Sequence, residues 1–421
     1  MRNYVILMSA TALAACGGGG GGPETVGGVA PPAGGSTQAT DVYTQFSKPV
    51  EAKTYTGIGG SQVYEYNTDD RVPSASGCCG QQGQMYAGNA TTPRNSPVTI
   101  TYDPRDAIFT LKIVDPLSGA DSQVRFQDPG NRTDFGDALE PQWGTPNLGK
   151  AVGGAAANNA IRYLQASPGD PRSRWLNSGS GFVNPGDNDT PPVGDPGASY
   201  QSISMFYELP GTNTKYVGFL GYVSNELSWE TIGRPDGSTI FSSNWTLGRG
   251  AFAYGAQTGN NAVPRTGSAT FTGSVLGSVV FNPLLDTSKY TPSYFQWMVG
   301  TGSHSVNFAS NSLTSTFTAW LHAPQLDGTP PLGTGLPEGT KFEGAASAVI
   351  DLVNKGGFYG SFSTASFTRP DGTKFTLNIA GSSIDGAFFG PAAEEIGGGI
   401  RVVGGTPDER IDIIGAFTGK K

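Results

Sequence analysis

The sequence predicts a mainly β chain that ends in a closed antiparallel barrel of about eight strands. Three observations carry that expectation. The chain holds 63 glycines and 30 prolines but only 14% charged residues, which suits many short strands joined by turns rather than helical bundles. Arg-Pro-Asp-Gly occurs twice, at Arg234–Gly237 and Arg369–Gly372, each time between strand-like runs. Proline presets the second turn position, Asp tolerates the third, and Gly takes the left-handed one, so both copies read as β-hairpins. From Gly267 onward short alternating runs follow one another closely, and a sheet of that many strands removes its exposed edges by closing on itself.

Taken in chain order, the first element is a signal. Arg2 followed by the apolar run Val5–Ala15 has the outline of a secretory signal peptide over 1–15 and is too short to span a bilayer. Leu13-Ala14-Ala15-Cys16 resembles a bacterial lipobox. That resemblance implies lipidation at Cys16, with palmitate among the expected acyl chains, and two or more chains anchor stably where one does so only marginally. Residues 16–40 then form a disordered tether. The stretch Gly17–Thr40 is Gly, Pro, Ala and Thr with Glu24 as its only charge, and such a segment cannot bury enough apolar surface to fold. Its random-coil reach is about 25 to 30 Å. Gly17 directly after the cysteine resembles lipoproteins sorted to the outer membrane of a Gram-negative cell.

Residues 41–260 form a first, β-rich region. Gln62–Tyr66, Val98–Tyr102, Ala107–Val114 and Lys215–Ser224 have strand composition and periodicity. Ala151–Ala166 reads as a helix weakened by its glycines. Cys78 and Cys79 are adjacent. Neighbouring Cα atoms lie about 3.8 Å apart, below the usual disulfide range of about 4.4 to 6.8 Å, so a bond between them would be strained and readily reduced. An oxidising envelope favours that bond over free thiols or intermolecular pairing.

Residues 261–421 carry the barrel. Its strand-like runs are Ser268–Val275, Ser305–Ala309, Leu313–Leu321, Phe342–Ile350, Gly357–Phe367, Lys374–Ile379, Ile384–Phe389, Gly398–Val403 and Ile411–Phe417. In Leu313–Leu321 the residues Leu313, Ser315, Phe317, Ala319 and Leu321 share one face. A barrel of this size is filled by side chains or holds one small ligand.

Several function classes fall away. Loss of Arg2 with the signal takes the formal charge from −8 to −9, and no stretch carries a basic patch, so no nucleic-acid partner is expected. No nucleophile elbow, Walker loop or His-Glu-x-x-His is present, and carboxylates are too scattered for a glycosidase pair. The chain reads as a binding protein, not an enzyme, with no catalytic residues to nominate. The two histidines, His304 and His322, could each serve as an axial haem ligand, as a general base, or as an ordinary strand residue. Asp187-Asn188-Asp189 lacks the rest of a calcium loop, so no metal site is expected. Tyr216, Phe219, Tyr222, Trp229, Phe241, Trp245, Phe252 and Tyr254 crowd the end of the first region, where aromatics serve either a core or a binding surface.

Four segments, in order, carry a family resemblance. Pro264–Gly273, "PRTGSATFTG", is similar to the P-x-x-G-x-A-x-Y/F-x-G entry strand of the transferrin-binding protein B barrel. Val306–Ala309 followed by Leu313-Thr314 is similar to that family's next hairpin. Gly386–Gly398, "GAFFGPAAEEIGG", resembles its G-x-F-x-G-P-x-A-x-E-x-G-G segment, and Gly415–Lys421, "GAFTGKK", its ending. The resemblance implies a surface lipoprotein built of lobes, each a handle-like domain followed by an eight-stranded barrel; here residues 41–260 would be the handle. It implies capture of a host or environmental iron carrier, haem or another solute, as an accessory to a TonB-dependent receptor at the outer-membrane surface. The alternative is a structural or adhesive surface lipoprotein without a nutrient ligand. The glycines of Glu394-Glu395-Ile396-Gly397-Gly398 read as the point where a loop leaves one strand and flexible backbone starts the next without side-chain crowding, with a binding role as the alternative.

Overall fold

The computed structural model describes residues 43–69, 80–84, 98–105, 108–114, 121–126, 145–166, 199–233, 236–237, 239–282, 294–323, 336–405 and 410–421. Within them two antiparallel sheets follow one another along the chain. The first is built from β1 (Lys53–Asp69), β2 (Gly80–Gln84), β3 (Val98–Asp103), β4 (Ile108–Val114), β5 (Asp121–Phe126), β6 (Ile161–Ala166), β7 (Ser199–Glu208), β8 (Val217–Gly233) and β9 (Thr239–Gly255). The second is built from β10 (Ser268–Asn282), β11 (Tyr294–Asn307), β12 (Ser312–Leu321), β13 (Lys341–Asp351), β14 (Gly357–Thr368), β15 (Lys374–Thr376), β16 (Asn378–Phe389), β17 (Glu395–Gly405) and β18 (Arg410–Lys420).

The second sheet is a closed barrel of eight strands. Its ladder runs β13-β12-β11-β10-β18-β17-β16-β14, and β13 pairs back onto β14 to shut the ring, while β15 hangs on the far edge of β14. The first and last strands meet along Val275↔Phe417 to Asn282↔Arg410. Closure leaves no unpaired edge in the ring, the outcome expected of so many short strands. In β12 burial alternates strictly, with Leu313, Ser315, Phe317, Ala319 and Leu321 inward. The second Arg-Pro-Asp-Gly is a tight turn: Arg369 N–H donates to Thr373 O at 2.8 Å, Gly372 N–H to Arg369 O at 2.9 Å, and Thr368 faces Lys374. The first copy sits where expected, between Gly233 and Thr239 at the end of the β8–β9 hairpin.

The first sheet runs β5-β4-β3-β1-β9-β8-β7-β6, with β2 added on β1. One long strand stitches it together: β1 pairs with β3 from Lys53 to Gly57 and with β9 from Ile58 to Asp69. No ladder joins β5 to β6 among the described residues. The helix expected over Ala151–Ala166 is not formed. Val152 and Ala155 instead bridge across a turn made by Gly153 and Gly154, and Ile161–Ala166 is strand β6. Two glycines and the Asn158-Asn159 pair remove helix propensity from the middle, and Tyr163 and Leu164 are buried in the sheet instead.

Three apolar cores organise these layers. The barrel interior is filled by side chains, including Phe271, Phe317, Phe342, Phe358, Phe388 and Phe417. A second core lies in the first sheet, around Ile100, Leu111, Phe126, Met205 and Phe252. Tyr43 and Phe46, on a short helix at residues 43–47, are wedged at its margin: Tyr43 packs edge-on against Tyr216, and Phe46 edge-on against Tyr55 and Tyr254. The third core belongs to both bodies at once.

Candidate functional site

That third core is the seam where the outer face of the first sheet lies on the outer face of the barrel. Ile58, Phe206, Val217, Phe219, Val223, Ala251 and Ala253 from one side meet Leu276, Trp297, Ala387, Phe389 and Ala416 from the other. Trp297 stands edge-on to Phe206 at 5.1 Å between ring centroids, a geometry favourable beyond simple area burial. The strand period of two explains how this arises: Val217, Phe219 and Val223 of β8 and Ala251 and Ala253 of β9 face the barrel, while Phe252 and Tyr254 of β9 point into the first sheet's own core. Further along the seam the Arg249 guanidinium lies 4.8 Å over the Phe295 ring, and the Gln62 amide donates to Asp412 O at 3.0 Å.

The Gly386–Gly398 segment is the polar lock of this seam. Glu395, 4% exposed, accepts backbone N–H groups of Lys215, Tyr216 and Val217 at 2.6, 2.8 and 3.0 Å. Lys215 and Tyr216 precede β8, and Val217 is its first residue. Burial pushes the Glu395 carboxyl above the ordinary range, outweighing the three N–H donors and Lys420 that favour its charged form. Glu208, buried nearby and bonded to Asn158 and Asn213 at 2.9 Å each, is likewise raised by burial. Gly390 has φ of 88°, a conformation that a side chain resists. Gly397 admits the first sheet closely: a Cβ there would lie 2.7 Å from Val217 Cγ2. The rest of the lock is backbone, with Thr258 N–H donating to Phe388 O and Gly390 N–H to Ala256 O at 2.8 and 3.0 Å. The glycines thus do relieve crowding, as read from the sequence. The acid between them, which that reading passed over, clamps two bodies together.

Both histidines are interior packing groups. His304 is fully buried in the barrel, its Nδ1 2.9 Å from Ser315 Oγ and its ring stacked at 4.5 Å on Phe417. Burial holds it near pKa 3, and His322 near 4. Neither reaches solvent as a base must, and Gly302 lies against the His304 ring, where a Cβ would stand 2.8 Å from Nε2. His322 marks the base of the β12–β13 connection, where the buried Gln296 amide donates to His322 O and Leu336 O at 3.0 and 2.8 Å. Gln296 had no sequence signal, being a single amide in an aromatic strand.

Of the aromatic group, Phe219, Tyr222, Phe252 and Tyr254 are core residues and Tyr216 is packed against the core. Trp229, Phe241 and Trp245 lie in β8 and β9. Cys16, Cys78, Cys79 and Asp187–Asp189 lie outside the described residues. Among the described residues no three His, Cys, Asp or Glu side chains converge as metal ligands, and no helix is long and apolar enough to cross a membrane.

Residues 263–421 match the family described as the C-lobe and N-lobe β-barrels of Tf-binding protein B. Among solved structures, the chain is similar to the intact Ap-TbpB, with N and C lobes, at 13% identity over 88% of this chain and 78% of that one, TM-score 0.27. It is similar to isotype 1 transferrin-binding protein B from serogroup B Neisseria meningitidis at 11% identity over 89% and 77%, TM-score 0.25. It is also similar to a Trp-176-Ala mutant of the Haemophilus parasuis protein at 12% identity over 87% and 77%, TM-score 0.25. No curated protein matches.

Proposed function

We propose, from the premise that residues 263–421 are a barrel domain of the Tf-binding protein B family, that this chain is a surface lipoprotein that captures an iron-carrying protein of the transferrin kind. Lipid on Cys16 holds it to the outer membrane, and the captured carrier is passed to a TonB-dependent receptor. The observation that carries the choice of a protein ligand is the phenylalanine-filled barrel interior. Binding then falls to the outer surface and its loops, held in register by the seam, and a macromolecule suits such a surface better than a small solute. The family's role is binding, and the two histidines held neutral in the core supply no accessible base for chemistry.

The test is capture. The full chain, purified in detergent, is immobilised and exposed to iron-loaded and iron-free transferrin and to haem-loaded carrier. The proposal expects saturable binding to a carrier protein and poor growth of a deletion strain given that carrier as sole iron source. Normal growth together with absence of binding would defeat it and leave the adhesive role.

A further inference from the structure

The part of the barrel wall turned away from the seam carries an unusual surface. Cross-strand register places its outward residues in rows over β10, β11, β12, β13 and β14. One row is Thr270–Ser305–Thr314–Ser347–Ser361; the next is Thr272–Ser303–Thr316–Ala345–Thr364; the row on the other side is Ser268–Asn307–Ser312–Val349–Tyr359. Eleven of these 15 positions are Ser or Thr and none is charged. Free-standing surfaces are ordinarily about a quarter to a third Lys, Arg, Glu and Asp. At about 4.8 Å between strands and about 6.7 Å per two residues, the rows span roughly 19 by 13 Å.

Two further features distinguish this face from plain solvated sheet. Thr270, Thr272, Ser303, Ser305, Thr314, Thr316, Ser347, Ser361 and Thr364 give their hydroxyls to no partner within the described protein, so each keeps a donor and an acceptor for something outside. The array also ends on apolar side chains. Tyr359 is 41% exposed and faces Val349 at 54%, and Val353, in the turn that joins their strands, is 86% exposed; these are three of the four large exposed hydrophobics among the described residues.

We infer that this face binds a neutral polysaccharide strand. The chemistry matches on three counts. A glycan offers hydroxyls that pair with hydroxyls, its sugar faces are apolar and lie against an aromatic ring such as Tyr359, and it carries no charge to need a counter-ion. A nucleic acid or an anionic lipid surface would call for Lys and Arg, which the rows lack. Short Ser and Thr side chains also lose little rotamer freedom when a ligand settles on them. The inference stands on this face alone and is independent of the carrier reading above.

The experiment is affinity electrophoresis of the full chain in detergent through native gels containing dextran, laminarin, galactomannan or hydroxyethylcellulose, with polygalacturonate as the charged comparison. Two variants are run beside it. One is Tyr359→Ala. The other is the double variant Thr314→Glu with Ser347→Lys, whose residues face each other, so net charge and mobility in the empty gel are kept. All changed side chains are exposed, and melting temperatures confirm that both variants fold. Retardation by at least one neutral polysaccharide, unaffected by added salt and weakened at least about tenfold in Kd by each variant, is the expected result. Absence of retardation in all four neutral gels, retardation only by polygalacturonate, or equal retardation of wild type and both variants would overturn the inference.

Discussion

Replacing both histidines by asparagine should flatten the pH dependence of stability between pH 7 and 5. His304 and His322 are the only histidines in the chain, and burial holds them near pKa 3 and 4 in the folded protein, against 6.5 for the free side chain. The unfolded chain therefore binds protons below pH 6.5 that the folded chain refuses. Stability falls as pH drops through 6.5 toward those lower values. One pKa unit is worth about 1.4 kcal/mol, so at pH 5, about one and a half units below the unfolded value, each histidine withdraws about 2 kcal/mol and the pair about 4. Glu208 and Glu395 act oppositely, because their folded values are raised and protonation in the fold adds stability as pH falls. Both proteins keep these two acids, so the comparison cancels them. Urea unfolding followed by tryptophan fluorescence at pH 7 and pH 5 gives the two slopes. The wild type should lose about 4 kcal/mol more than His304→Asn/His322→Asn across that interval. Equal losses would show that the histidines are hydrated in the fold and that the tight aromatic packing around His304 is wrong.

The seam lock and the anchor each give a sharper test. Glu395→Ala strands the N–H groups of Lys215, Tyr216 and Val217, of which only the Val217 bond is buried, and at about 1 to 3 kcal/mol for an unpaired buried donor it should lose about 1 to 3 kcal/mol in urea unfolding, Glu395→Gln losing less. Equal stability of all three proteins would remove the clamp. Cys16→Ser should abolish incorporation of a fatty-acid probe and release the protein from the membrane fraction; labelling that persists would put the acyl group elsewhere.

What could be read in the sequence was what depends on local rules. Strict alternation in Leu313–Leu321 gave both the strand and its inward face, because a strand with one buried side repeats every two residues. The turn at Arg369–Gly372 was equally local. Residues 151–166 were misread because alanines suggest helix, whereas Tyr163 and Leu164 are taken up by packing with distant strands. The seam was illegible for a related reason. Strand β9 is apolar on both faces near its end, with Ala251 and Ala253 toward the barrel and Phe252 and Tyr254 toward the first sheet. Such a run announces burial without saying what lies on each side. Glu395 sat inside a quoted motif, yet its partners lie about 180 residues upstream, beyond any spacing rule.

The wedged turn at residues 43–47 has a mechanical consequence. With lipid on Cys16, as proposed, a pull along the chain reaches the described body at Tyr43, beside Tyr216, and Lys421 is fastened close by, its N–H donating to Glu394 O at 3.2 Å. Under the proposed anchoring, drag from a captured carrier is then shared between the first sheet and the barrel at their seam, as shear across packed faces, instead of unzipping one border strand bond by bond.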